Sequence, residues 1–157
     1  MGLSIKIEDP LQKDVVALVE RLTDELHELT PADACHHLTP EQMKEAGTTV
    51  FVARNDGVAV ACGALKVHSS AVGEVKRMFT SRQARGLGAG RKILNEITAL
   101  AKEKGLSELV LETGWNYEAA LHLYESEGFT RCGPILDYPE HPESVFYVKP
   151  LAATVEI

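Results

Sequence analysis

The chain has 157 residues, 45% of them hydrophobic and 25% charged, which suits one globular domain over 1–157 and excludes a coiled coil, a collagen repeat and a disordered chain. No apolar run approaches the ~18 residues of a membrane span, and the stretch from Met1 to Lys6 has no signal-peptide core. The net charge of −7 argues against nucleic acid, whose binding rests on neutralising phosphates.

Ser4 to Ile7 alternates and reads as a first strand. Asp9-Pro10-Leu11-Gln12 has the order of a helix start, with Asp9 as cap, Pro10 at the first position and Gln12 reaching back. Val15, Leu18, Val19, Leu22 and Leu26 continue it as a core stripe. His27 to Leu38 has no clear period and reads as a loop or broken helix. Thr39-Pro40-Glu41-Gln42 repeats the start signal, and Gly47 closes a short second helix. Strands over Thr48–Arg54 and Val58–Val67 flank the turn residues Asn55-Asp56-Gly57, which predicts a hairpin. Val72–Thr80 makes a third strand of the same meander. The period then becomes helical over Ile93, Leu94, Ile97, Leu100 and Ala101, with Gly105 as the stop. A strand over Leu106–Glu112 follows, then a helix with Ala119, Ala120, Leu123 and Tyr124 ended by Gly128. Phe129–Cys132 and Val145–Val148 are late strands around a proline-rich loop. The order is β-α-α-β-β-β-α-β-α-β-β, an α/β chain with a mixed sheet.

Charge is distributed unevenly. Between Val75 and Asn95 stand Lys76, Arg77, Arg82, Arg85, Arg91 and Lys92, with no acid. The rest of the chain carries ten basic residues against 23 acidic ones, or −13. A cationic patch on an acidic body suits a small anionic ligand. Cys35, Cys62 and Cys132 form no CxxC and are odd in number, so a disulfide framework is not expected and a reducing, cytoplasmic compartment is. Cys35-His36-His37 is no metal site on this pattern, because adjacent histidines cannot share a helix face.

Arg85-Gly86-Leu87-Gly88-Ala89-Gly90-Arg91 joins a strand to a helix. Three glycines in five residues are poor helix formers, but they let the backbone turn sharply and approach a ligand. The unpaired amides of a helix start favour a phosphate. A P-loop would need Gly-Lys-Ser/Thr, which Gly90-Arg91-Lys92 lacks. A dinucleotide fingerprint matches Gly86 and Gly88 but has Arg91 at its third glycine, leaving a nucleotide-binding oxidoreductase as a rival. A turn without ligand leaves the arginines unexplained.

Arg85, Gly88 and Gly90 fit a third pattern, Arg/Gln-x-x-Gly-x-Gly/Ala. Here the chain resembles the GNAT superfamily of N-acetyltransferases, over nearly its full length. Glu74-Val-Lys-Arg-Met-Phe-Thr80 is similar to the family's fourth strand and Leu109-Val-Leu-Glu-Thr113 to its fifth. Asn116, Ala119, Leu123, Tyr124, Gly128 and Phe129 stand as in its late motif. Arg-Met-Phe before the glycine turn and Tyr138-Pro-Glu-His-Pro142 near the end resemble a subgroup of small bacterial acetyltransferases.

The resemblance implies acetyl-coenzyme A as co-substrate, a small-molecule amine or peptide as acceptor, and splayed fourth and fifth strands. It leaves a homodimer open. The pyrophosphate would lie on Arg85, Gly86, Leu87, Gly88, Ala89, Gly90 and Arg91. The pantetheine arm would pair with Met78, Phe79 and Thr80 and meet Asn116, which could equally cap the helix. A backbone N–H near Met78 would face the oxyanion. Tyr124 would protonate the leaving thiolate; its alternative is a packed helix tyrosine. Glu74 would take the amine proton through a water, against the alternative of a surface glutamate, with His141 and His122 as weaker candidates. Lys76 and Arg77 would alternate on their strand, one solvated and one near the ligand. Asp137, Glu140 and Glu143 suit a solvated loop. A non-catalytic acyl-coenzyme A binding module that regulates a partner is the other reading.

Overall fold

The computed structural model describes residues 2–29, 39–81, 84 and 86–151. Seven strands form one sheet in the order β1-β2-β3-β4-β5-β7-β6. They are β1 (Leu3–Ile7), β2 (Thr48–Asn55), β3 (Val58–Val67), β4 (Val72–Thr80), β5 (Glu108–Gly114), β6 (Thr130–Cys132) and β7 (Ser144–Pro150). The helices are α1 (Lys13–Leu29), α2 (Pro40–Met43), α3 (Ala89–Glu103) and α4 (Glu118–Ser126). The element order is the one expected, and all pairings are antiparallel except β4 with β5.

Each face of the sheet has its own cover. Ile93, Leu94, Ile97 and Ala101 of α3 pack with Tyr124 of α4 on Val75, Leu109, Leu111 and Tyr147. On the other face Val15, Leu18, Val19 and Leu22 of α1 meet Val50, Val52, Cys62, Ala64 and Phe79. Farther along that face, Val110, Ile135 and Phe146 form a smaller cluster with Tyr138 against it.

Local chemistry accounts for most ends. Asp56 and Gly57 both have positive φ, 51° and 86°, as the tight primed turn of a two-residue hairpin requires. Thr39 and Gln42 exchange side chain to backbone bonds in a capping box at α2. The start of α1 differs from the expectation. Asp9 Oδ1 accepts from Leu11 N at 2.9 Å and Gln12 Nε2 donates to the Asp9 carbonyl at 3.1 Å, so both residues serve a turn and the helix begins at Lys13. At its other end α1 includes His27 to Leu29; residues 30–38, with Cys35, His36 and His37, lie outside the described residues.

Two departures from a regular sheet shape the middle of the molecule. β4 and β5 pair only at Val72–Glu108, Gly73–Leu109 and Glu74–Val110, then part, and a notch opens between Val75–Thr80 and Leu111–Gly114. β4 also carries a bulge. The register jumps from Ala64–Lys76 to Cys62–Phe79, so Arg77 and Met78 stand opposite Gly63 alone. Arg77 takes a left-handed φ of 55°, costly for a residue with a Cβ. Gly63 leaves room for the Met78 side chain beside the bulge: a Cβ there would lie 2.4 Å from Met78 Sδ and 2.7 Å from Ile93 Cγ2.

Candidate active site

The glycine turn leads into α3 on one side of the notch. Gly86 and Gly88 have φ of 93° and 77°, and a Cβ built on either would meet nothing within 4 Å. The backbone there is bare and faces open space. Gly88 is the N-cap of α3, with no side chain capping it, so among the described residues no side chain accepts from the first amides of the helix. That is a fitting cradle for an anion. Gly90 is tight instead: its Cβ position is 3.4 Å from Thr80 Oγ1 and from Leu123 Cδ2, which sets the turn against β4 and α4. Ala89 is buried under it and Leu87 is exposed. Arg85 and Arg82 lie outside the described residues. Arg91 is not a free cation, since its Nη1 donates to Glu127 and to Ser126 Oγ; only its backbone amide stays at the turn.

Tyr124 faces the same side. It is 5% exposed, with its ring edge-on to Phe129 at 5.7 Å and tilted on Tyr147 at 6.1 Å. Burial holds its phenol well above the usual tyrosine range, so it keeps its proton at neutral pH. Among the described residues its hydroxyl has no hydrogen-bond partner. Asn116 is half-buried beside Gly114, 3.2 Å from that glycine's Cβ position. It does not cap α4, whose N-cap is Tyr117.

The opposite face of the notch holds a cluster of charges. The surface alternative for Glu74 fails, since the residue is 2% exposed. Its Oε1 meets His68 Nε2 at 2.7 Å, and its Oε2 accepts from Tyr138 Oη and from Lys76 Nζ, the latter at 3.3 Å. Lys76 also donates to the Tyr138 hydroxyl. Burial lowers the Lys76 ammonium below its ordinary value, against the opposing pull of Glu74. Burial first, and Glu74 second, push the Tyr138 phenol far up. The cluster is therefore a carboxylate held by a lysine, a tyrosine that donates, and a histidine. His68 has a quarter of its side chain, 26%, in solvent.

Lys76 and Arg77 do not alternate. The bulge turns Arg77 onto the same face as Lys76, where its Nη2 donates to Thr23 Oγ1 of α1 at 2.7 Å. His122 is exposed on α4, and His141 Nδ1 accepts from the Glu143 amide at 3.0 Å. Glu143 also accepts from Trp115 Nε1, whereas Asp137 and Glu140 are exposed. Sequence reasoning missed His68 and gave Tyr138 no role. Both reach Glu74 from turns, His68 after β3 and Tyr138 in the β6–β7 loop, and no local periodicity signals such a meeting.

Residues 46–131 match the family model described as acetyltransferase (GNAT) domain. The chain is 40% identical over 151 residues to the IAA acetyltransferase of Azospirillum brasilense, covering 96% of this chain and 99% of that one. A Klebsiella pneumoniae protein assigned as an acyl-CoA N-acyltransferase shares 30% identity with a TM-score of 0.80, over 96% of this chain and 98% of that one. A GNAT family acetyltransferase from Elizabethkingia anophelis with acetyl-CoA bound has the same fold at 16% identity, with a TM-score of 0.66 over 96% and 99% of the two chains.

Proposed function

This chain belongs to the GNAT family of acetyl-coenzyme A-dependent N-acetyltransferases, and we propose that its β4–β5 notch joins a donor cradle on the α3 face to an acceptor site on the α1 face. The observation that carries this reading is the three-residue pairing of β4 with β5, which leaves a gap between the bare glycine turn and the Glu74 cluster. Acetyl-coenzyme A is the co-substrate and supplies the thioester. Gly86 to Arg91 hold the pyrophosphate through backbone amides. Met78, Phe79 and Thr80 present the edge that β5 leaves unpaired, and the pantetheine adds to it like a strand. Asn116 borders the same channel.

The acceptor is a small-molecule amine or a peptide amine. Its nitrogen attacks the thioester carbonyl, so that a C–N bond forms and the C–S bond breaks. The Met78 amide stabilises the negative oxygen. Tyr124 gives its proton to the departing sulfur. Glu74 takes the amine proton through a water, and His68, joined to Glu74 and partly in solvent, passes it out. Lys76 and Tyr138 hold the Glu74 carboxylate in place. One domain over 1–157 contains every group named, and its described cysteines carry free thiols, as suits the cytoplasm.

A thiol-release assay with acetyl-coenzyme A and a panel of amines tests the reading. Release that depends on the amine, with a product heavier by one acetyl group, is the expected result. Tight coenzyme binding without release for any amine would return the chain to the regulatory-module reading.

A further inference from the structure

Arg77 is a buried cation whose hydrogen bonds are incomplete. Its residue is 7% exposed, and Nε and Nη1 are buried without a hydrogen-bond partner. A guanidinium stays charged at any physiological pH, so an unpaired one under a helix is costly. Its surroundings offer no counter-charge among the described residues. Thr23 is a hydroxyl. The Cys62 thiol donates a hydrogen bond to the Arg77 carbonyl at 3.3 Å, and burial pushes that thiol up to about 12, so it is neutral. Glu74, the nearest buried carboxylate in sequence, is already shared by His68, Lys76 and Tyr138. The bulge that puts Arg77 here is itself strained.

From this we infer that Arg77 recognises an anionic group on the acceptor, and that the acceptor carries a carboxylate alongside the amine that is acetylated. The inference rests on the reading of the notch as the transfer site. Arg77 stands three residues beyond the last β4–β5 pair and one before Met78, on the face opposite the donor cradle. Thr23 takes one of the two N–H groups on Nη2. The other remains to act with Nε or with Nη1, and either edge fits the two oxygens of a carboxylate. One guanidinium balances one negative charge. A phosphate would bring a second, and Lys76 is committed to Glu74.

The test compares α-, β- and γ-amino acids and dipeptides with their primary amides, which keep the amine and lose the charge. At least one acid should exceed its amide in kcat/KM by at least about 10²-fold, since a site built around a buried polar partner can discriminate by about 10⁴-fold. Arg77→Met should bring that ratio near one, mainly through KM for the acid, and leave coenzyme A affinity unchanged. Thr23→Val, which removes only the hydroxyl that aims the guanidinium, should lower the ratio partway and covers the case in which Arg77→Met does not fold. Amides used as well as acids throughout the panel, or a ratio that survives both substitutions, would overturn the inference. If no amine releases thiol, the transfer reading fails by itself. Calorimetry with N-acetylamino acids and their amides, in the presence of coenzyme A, then decides the anion site: acid-selective binding lost in the variants upholds it, and equal binding refutes it.

Discussion

Removing the Tyr124 hydroxyl should leave the core as it is, because the ring supplies the packing against Phe129 and Tyr147 and the oxygen has no partner among the described residues. Tyr124→Phe is therefore a clean probe of chemistry. It should keep Tm and coenzyme affinity and reduce kcat by roughly 10²-fold, in the range of a lost acid–base group. A kcat within about twofold of wild type, with chemistry rate-limiting, would make the tyrosine packing alone. Glu74 is a different case, since its carboxylate serves three neighbours. Glu74→Gln keeps the shape but cannot take a proton, and it leaves Lys76 buried without its counter-ion. The maximal rate should fall by roughly 10²-fold while coenzyme binding persists, in the range of a lost acid–base group. An unchanged maximal rate would assign the proton to bulk water or to His141.

At the scale of elements, the two ends of α3 carry glycines of similar conformation and different duty. Gly88 at the start has φ 77° and Gly105 past the end has φ 76°. Both positions strain any L-residue, so both should cost stability on substitution, on the order of 1 kcal/mol for alanine. Only Gly88 lies where a phosphate would meet the first amides of the helix. Gly88→Val should weaken coenzyme A at least about tenfold, or 1.4 kcal/mol, whereas Gly105→Ala should lower Tm and leave the affinity alone. Titration calorimetry on the pair separates a binding turn from a merely bent one: equal affinities would mean that the glycines serve geometry only.

At the scale of the whole molecule, one arginine ties together segments distant in sequence. Arg54 of β2 donates through Nε and Nη2 to both oxygens of Glu8 beside β1, and through Nη1 to Asp14 of α1 and the Gly57 carbonyl of the hairpin turn. The Arg54 hydrogen bond is the main cause that holds Glu8 below its ordinary 4.5 and Asp14 below its ordinary 3.8. A carboxyl depressed by folding stabilises the native state above its unfolded value and loses that contribution as pH falls through its folded one. Arg54→Met should thus lower Tm at pH 7 by a few degrees, roughly 1 kcal/mol for a partly exposed cluster in a chain of this size. The gap between variant and wild type should close as the pH drops below 4.5. A gap constant down to the acid limit would mean that Arg54 acts through packing of its stem.

The order of strands and helices, the hairpin at Asp56-Gly57, the α2 capping box and the glycine turn were legible in the sequence because each depends on residues a few positions apart. Periodicity and turn chemistry are local, and so is the amide cradle of a helix start. The start of α1 was misread for a related reason: Asp9 and Gln12 satisfy a turn as well as a cap, and only the path of the chain chooses. What lies across the sheet was decided by tertiary structure. Glu74 and Tyr138 are 64 positions apart and Arg77 and Thr23 are 54 apart. A strand pattern that alternates would have sent Arg77 to the α3 face, but the bulge against Gly63 turns it to α1. Whether a carboxylate is a solvated surface group or a buried one held by three partners depends on which chains close over it, and that is settled by packing between elements that carry no mark of each other in their own sequence.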